Sequence, residues 1–496
     1  MTSFRLNKLS KWGGVSFLAG VAMVACLVTI ATLPSLRGPH LISFLAYFLL
    51  ASVAYILSIL RLDRDRLPIS FIWGFALIFR LILLFTSPTL SDDVFRYIWD
   101  GHLLNQGVNP YALPVNSQLL DIFDTPLRAL VNHSWMASPY LPTDQILFSV
   151  VYRIAPGSVL TFKIASITLD LMTGWLVMDI LRLLNLPRRR VLIYLWSPLI
   201  IIEFAHSAHM DAWMISLVMA TFWLLVKAKP GSQNERKLKT GSVLTLAGAT
   251  LTKIVPVILM PIMLRRWGWQ RLVLFGGITL VVASLFTIGA GWGLTGPLDG
   301  EGLFGAIRIY AKFWNHNSGI YHWLEVALTG YQTAGAVPVE PQYEAGILLS
   351  KLITAGLAGL AVLLTGWWAW RIDDPQKADH ETRSLNLLRL AVIPIGAYLL
   401  LTPTIHPWYV VLIVPFLPFL LPRRSEAPLA RSFMWPWVYF TLIVAVSYLS
   451  YIDPANPREF AWVRQVEYLP LFVLLAWAVL MGLWEMIKHK RKQALL

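Results

Sequence analysis

The stretch Ser91-Asp92-Asp93-Val94-Phe95-Arg96-Tyr97-Ile98-Trp99-Asp100-Gly101 carries five ionisable side chains directly behind an apolar run, 68–87, long enough to cross a bilayer. On a helix beginning near Ser91, Asp93, Arg96, Tyr97 and Asp100 share one face. A carboxylate there, its pKa set by burial and a cationic neighbour, can take the proton of an attacking hydroxyl. The structural account is simpler: Ser91 caps the helix, and two acids in its first turn suit the helix dipole. Both aspartates are candidate bases. Asp93 is preferred because its face also carries Arg96 and Asp100, while Asp92 projects about 100° away and can serve mainly as a cap.

Further clusters invite chemistry. His206-Ser207-Ala208-His209-Met210-Asp211 could ligate a divalent metal, bond a phosphate or sugar, or simply form a polar turn closed by Asp211. In Phe313-Trp314-Asn315-His316-Asn317, aromatic faces with Asn315 and His316 suit sugar recognition, and a plain polar loop fits as well. The segment Pro403-Thr404-Ile405-His406-Pro407-Trp408-Tyr409 reads as an interfacial anchor of Trp408 and Tyr409, or as a rigid turn presenting His406. Lys253 lies between two short apolar runs and must face a cavity, since an unpaired ammonium in lipid is costly. Arg80, inside run 68–87, either snorkels or pairs with a phosphate.

Membrane helices must position these groups. The chain of 496 residues is 57% hydrophobic and only 14% charged, too apolar for a soluble protein. Its net charge of +14 is carried by clusters between apolar runs: Arg61/Arg64/Arg66, Arg188–Arg190, Lys227 to Lys239, Arg265/Arg266/Arg271, Arg423/Arg424 and Lys488 to Lys492. That is the cytoplasmic bias of an inserted protein and argues against nucleic acid as a partner. Arg5, Lys8 and Lys11 precede an apolar run too long for a signal-peptide core, which reads as a retained first helix. The single cysteine, Cys26, excludes an intrachain disulfide and a thiolate metal site.

The fold class expected is an all-α polytopic membrane protein of about fourteen apolar segments, some half-length: 12–33, 41–60, 68–87, 159–184, 191–204, 211–228, 240–251, 254–264, 272–290, 346–370, 389–404, 409–421, 433–451 and 468–487. Both termini fall inside, and two large loops, 88–158 and 291–345, fall outside. Leu119 to Val131 reads as an interfacial amphipathic piece. Inside loops are too short for a nucleotide site, and no GxxxxGK[ST] or GxGxxG occurs.

The segments "SDDVFRYIWDGHLLNQGVNPY", "EFAHSAHMDAWM", "LTKIVPVILMPIML" and "PTIHPWYVVLIVPF" resemble, in order and spacing over about 70–420, the GT-C membrane glycosyltransferases and within them glycosyltransferase family 87. The resemblance implies a polyprenyl-phosphate sugar as donor (mannose by analogy), a lipid or glycan acceptor, and inversion on the extracytoplasmic face of a bacterial inner membrane. It implies a base at Asp93 or Asp92 and donor phosphate at Lys253, with help from Arg80 or His209. Arg96, Tyr97, Asp100, His206, Asp211, Asn315, His316, His406, Trp408 and Tyr409 are the expected sugar and acceptor contacts. No resident cofactor is expected, and a divalent metal is left open. In domain terms, 1–67 is a two-helix addition, 68–290 the catalytic module and 291–496 a C-terminal membrane region. Two other classes compete: an O-antigen-ligase or polymerase-like enzyme, against which the acidic start of the first loop argues, and a lipid or solute transporter, for which paired repeats are missing.

Overall fold

Where water is absent, a backbone can satisfy its polar groups only within itself, so long apolar runs become helices. The computed structural model describes residues 14–295, 300–330, 341–423 and 429–494. The basic start Arg5/Lys8/Lys11, Arg424, part of loop 291–345 and the side chains of Lys488 to Lys492 lie outside the described residues. Among the described residues the α-helices of nine residues or more are α1 Gly14–Thr32, α2 Leu41–Asp65, α3 Ile69–Leu84, α4 Asp93–Asn105, α5 Pro142–Ile154, α6 Val159–Leu183, α7 Asp211–Lys227, α8 Glu235–Thr250, α9 Met260–Phe286, α10 Gly305–Phe313, α11 Ile320–Thr329, α12 Pro341–Ile372, α13 His380–Leu390, α14 Val392–Leu401, α15 Leu429–Ile443 and α16 Ala461–Ala494. Among the described residues the β-structure is one isolated bridge, His316 to Thr404.

Eight helical stretches are long and apolar enough to cross a membrane: Gly14–Thr32, Gly38–Asp65, Val159–Leu183, Val255–Phe286, Gln342–Ile372, His380–Leu401, Phe433–Tyr451 and Ala461–Trp484. The protein is an all-helical, polytopic membrane protein. Side chains such as Leu280 and Leu285 of α9, Leu352 and Leu363 of α12, and Val473 and Leu480 of α16 stand exposed, as lipid-facing surfaces require.

The expected fourteen segments differ from this in instructive places. Run 191–204 is no continuous helix. It breaks into Leu192–Leu195, Pro198–Ile201 and a π-turn, Ile202–His206, because Pro198 has no N–H to continue the ladder. Residues 190–212 are buried throughout, so this stretch threads the interior. Run 409–421 becomes a 3-10 helix, Val411–Leu420, tightened by Pro415 and Pro418 and buried on every side. In α9, Gly268 takes φ 69°, ψ 170° and breaks the helix in a kink, a conformation suited to glycine. Leu251 before α9 and Ala283 near its end meet in one cluster with Tyr111 and Leu141.

The bundle has two distinct ends. At one, Arg266 and Arg383 share Asp373, Arg190 donates to the carbonyls of Leu421 and Pro422, and Arg389 donates to Phe419. At the other end sit α4, α5, α10, α11 and the turns at 206–211, 251–254 and 402–409. Helices α4 and α5 lie against each other at Gly101, where a Cβ would come within 2.5 Å of the Phe148 carbonyl oxygen. Helices α1 and α2 pair, and α1 packs on α3.

Candidate active site

Helix α4 starts at Asp93, whose backbone N–H donates to Ser91 Oγ at 3.3 Å. Asp92 makes no side-chain cap. It pairs instead with Arg37 at 2.9 Å, and Arg37 also donates to the Leu90 carbonyl. The capping role expected for Asp92 is therefore replaced by an ion pair to the segment before α2.

Asp93 is held differently. Asn132 Nδ2 donates to its Oδ1 at 2.7 Å, and His209 Nδ1 lies 3.7 Å from its Oδ2. Its side chain is 18% exposed, enough for one edge to face an opening. Burial pushes the Asp93 carboxyl above the usual carboxylate range, against the pull of the Asn132 amide and the Lys253 ammonium. A carboxylate raised in this way is a stronger base than an exposed one.

Lys253 sits in the turn between α8 and the 3-10 stretch Val255–Leu259, as its place between short apolar runs suggested. Its Nζ donates to Asp211 Oδ1 at 2.7 Å and lies 4.1 Å from the centroid of the Tyr409 ring. The side chain is 32% exposed, which leaves donor capacity for an anion.

The turns meet through stacked rings. His209 stacks on Trp408 at 4.3 Å, Trp408 on His406 at 4.4 Å, and His406 on His316 at 4.6 Å, with interplanar angles of 18°, 4° and 21°. The last ring bonds Glu459 at 3.0 Å. Two backbone bonds zip the loops of this ladder together, His316 N–H to the Pro403 carbonyl and Ile405 N–H to the His316 carbonyl. Burial holds these imidazoles neutral: His316 falls to about 4, and His406 and His209 go well below the ordinary value. Tyr409 completes the wall through a hydroxyl contact of 2.7 Å with Tyr310.

Asp93, Lys253, His209, Asp211, His316, His406, Trp408 and Tyr409 are thus brought to one end of the bundle. Tyr97 belongs with them from beneath, its hydroxyl 3.5 Å from His209 Nδ1. Other expected site residues are engaged elsewhere. Arg80 is fully buried and donates to both Asp170 oxygens and to the Leu195 carbonyl, so it neither snorkels nor faces a phosphate. Arg96 and Asp100 pair in the interior and tie α4 to the Met136 carbonyl, Ser138 and Gln145 instead of reaching a sugar. His206 spends both ring nitrogens on Thr86 and Thr89. Asn315 is buried and bonded to Glu325 and Ser318. The two histidines of the His206–Asp211 turn point apart because Ala208 between them takes a left-handed φ of 61°. Among the described residues no three His, Cys, Asp or Glu side chains are grouped to hold one metal ion.

Sequence reasoning passed over Glu203, Asn132, Arg37, Glu459 and Tyr310. Glu203 left a signal, being a lone carboxylate in the apolar run before His206. Asn132, Arg37 and Glu459 lie in connecting loops and Tyr310 in α10, and only the fold reveals their partners.

With this geometry in view, comparisons with known proteins become specific. Residues 13–269 match the family described as "Alpha-(1->6)-mannopyranosyltransferase, N-terminal domain", a match that takes in α1 and α2 as well as Asp93, His209 and Lys253. A curated relative, "Alpha-(1->6)-mannopyranosyltransferase A" of Corynebacterium glutamicum, is 28% identical over 158 residues, covering 30% of this chain and 30% of its own length. The alignment thus spans under a third of that relative. No solved structure matches. The match over more than half of its residues establishes that the chain belongs to the alpha-(1->6)-mannopyranosyltransferase family of membrane glycosyltransferases.

Proposed function

We propose that the protein transfers a single mannose from a polyprenyl-phosphate donor to a lipid or glycan acceptor, with inversion, on the extracytoplasmic side of a bacterial inner membrane. The observation that carries this reading is the meeting of a raised carboxylate, Asp93, with a partly exposed ammonium, Lys253, at the end of the bundle away from the arginine clusters. The acceptor O–H gives its proton to Asp93 as its oxygen attacks the anomeric carbon. The bond from that carbon to the phosphate oxygen breaks, its electron pair stays on the polyprenyl phosphate, and Lys253 stabilises the charge. A β-linked donor then gives an α-linked product, as the family's name describes for its members. The stack of Trp408 and His406 offers flat faces against which a sugar or isoprenoid can rest. The transfer needs no nucleotide and no resident cofactor. The arginine-rich end and both termini would face the cytoplasm.

The test is an assay of purified protein with a panel of polyprenyl-phosphate sugars and total lipid extract, the product identified by mass spectrometry and linkage analysis. An α-mannosylated product from polyprenyl-phosphate mannose is the expected result. Transfer from GDP-mannose alone would overturn the donor assignment.

A further inference from the structure

Glu203 has no part in the transfer described above, yet it is wholly buried at the base of the site. One of its oxygens, Oε1, accepts the hydroxyl of Tyr448 at 2.9 Å. The other, Oε2, lies 3.4 Å from His209 Nε2, and among the described residues neither atom has a hydrogen-bond partner. These two atoms face each other in the buried interior, where an unmet polar group is costly. The other nitrogen of the same ring, Nδ1, lies 3.7 Å from Asp93 Oδ2. His209 is therefore a bridge between a base at the opening and an acid beneath it.

With the ring neutral, one arrangement of protons gives Asp93 a donor from this bridge. If Glu203 were ionised, His209 Nε2–H would point at it, and the bare lone pair of Nδ1 would be met by the Tyr97 hydroxyl at 3.5 Å but would face the Asp93 carboxylate with no proton to offer it. That leaves two carboxylates around a neutral ring. We propose that Glu203 is a neutral carboxylic acid whose Oε2–H donates to His209 Nε2, which fixes the tautomer that presents Nδ1–H to Asp93. Glu203 and His209 are then positioning residues, and this role rests on the reading of Asp93 as base. Tyr448 O–H, Glu203 O–H and His209 N–H form one donor chain ending on the reactive carboxylate. Buried acids kept neutral so that they can donate have precedent in enzyme sites. The other groups facing His209 are consistent with a neutral ring: the Lys253 ammonium, His206, the Tyr97 hydroxyl and the face of Trp408.

Two measurements test this on the full-length protein. The first needs no substrate: ¹⁵N NMR of histidine-labelled protein, with His209 assigned by its loss in His209→Gln. The Nδ1–H tautomer is expected in the wild type and in Glu203→Gln, whose amide can still donate to Nε2. An Nε2–H tautomer would overturn the proposal even if the transfer chemistry stands. The second is the pH profile of mannose transfer from polyprenyl-phosphate mannose. Glu203→Gln should keep the acid limb of kcat/KM in place. Glu203→Leu should move it to higher pH and lower kcat at least tenfold, with donor KM unchanged. Equal damage by Gln and Leu would show that Glu203 works ionised, and an unmoved limb in both would reduce it to packing. An inactive wild type would count against the proposed donor, while the NMR result would stand on its own.

Discussion

Replacing Asp93 by Asn should separate catalysis from structure. In the variant, an amide oxygen turned toward Asn132 keeps the 2.7 Å bond that orients this side chain, so α4 keeps its start. What is lost is the basic oxygen. General base catalysis is typically worth about 10²–10⁴ in rate, or about 3–5 kcal/mol at 1.36 kcal/mol per tenfold. Asp92 is different: it is 40% exposed and tied to Arg37. An exposed pair contributes only about 0.2–1 kcal/mol, so Asp92→Asn should cost about fivefold or less. The assay is kcat with saturating polyprenyl-phosphate mannose, with thermal melts confirming the fold of both variants. Asp93→Asn is expected to be slower than Asp92→Asn by at least about twentyfold, the gap between those two ranges. The reverse ranking would hand the role to Asp92, and full activity in both variants would refute a base on this loop.

Other consequences follow from the same geometry. Lys253→Met should raise the donor KM or abolish turnover while the protein still folds, and adding Asp211→Asn should restore any lost stability but not activity; unchanged donor kinetics would make Lys253 structural. Arg80→Met strands Asp170 in the interior and should cost about 3–5 kcal/mol of stability, seen as a lower melting temperature; a raised donor KM without destabilisation would return Arg80 to the site. The folded pKa of His316, about 4, is below the unfolded value near 6.5, so the unfolded chain binds more protons between them. Stability should fall as pH drops through about 6.5 and level off only near the folded value, checked by melts across that window; a melt independent of pH would contradict it. In a Cys26→Ser background, Gln118→Cys should react with a membrane-impermeant thiol reagent on intact cells, and labelling only after permeabilisation would invert the topology.

Polarity in the wrong place was the legible part of this site. Asp93 after an apolar run, Lys253 between two half-length runs and His406 between prolines all announced themselves, because a charge or ring at membrane depth needs a reason. Their convergence was not legible, since it depends on long-range contacts, Asp93 to His209 and Lys253 to Asp211 and Tyr409, and on the left-handed turn at Ala208. Arg80 misled because its partner, Asp170, lies ninety positions away on α6, and sequence spacing carries no trace of such a pair. Likewise Arg96 and Asp100 were read on the correct helix face, but the loop that covers that face turns it into an interior. Helix count suffered where proline let a buried segment change its winding, as at Pro198 and Pro415, so that hydropathy could not tell a lipid-facing helix from one packed inside.

In the proposed transfer one donor is held between Asp93 and Lys253. A cryo-EM structure of the Asp93→Asn variant with polyprenyl-phosphate mannose tests it most directly. The account predicts the phosphate within hydrogen-bond distance of Lys253 Nζ and the anomeric carbon facing residue 93. It would be contradicted by a donor whose phosphate sits at the other end of the bundle, in the cavity of about 550 Å³ beside Arg190, Glu381 and Arg423.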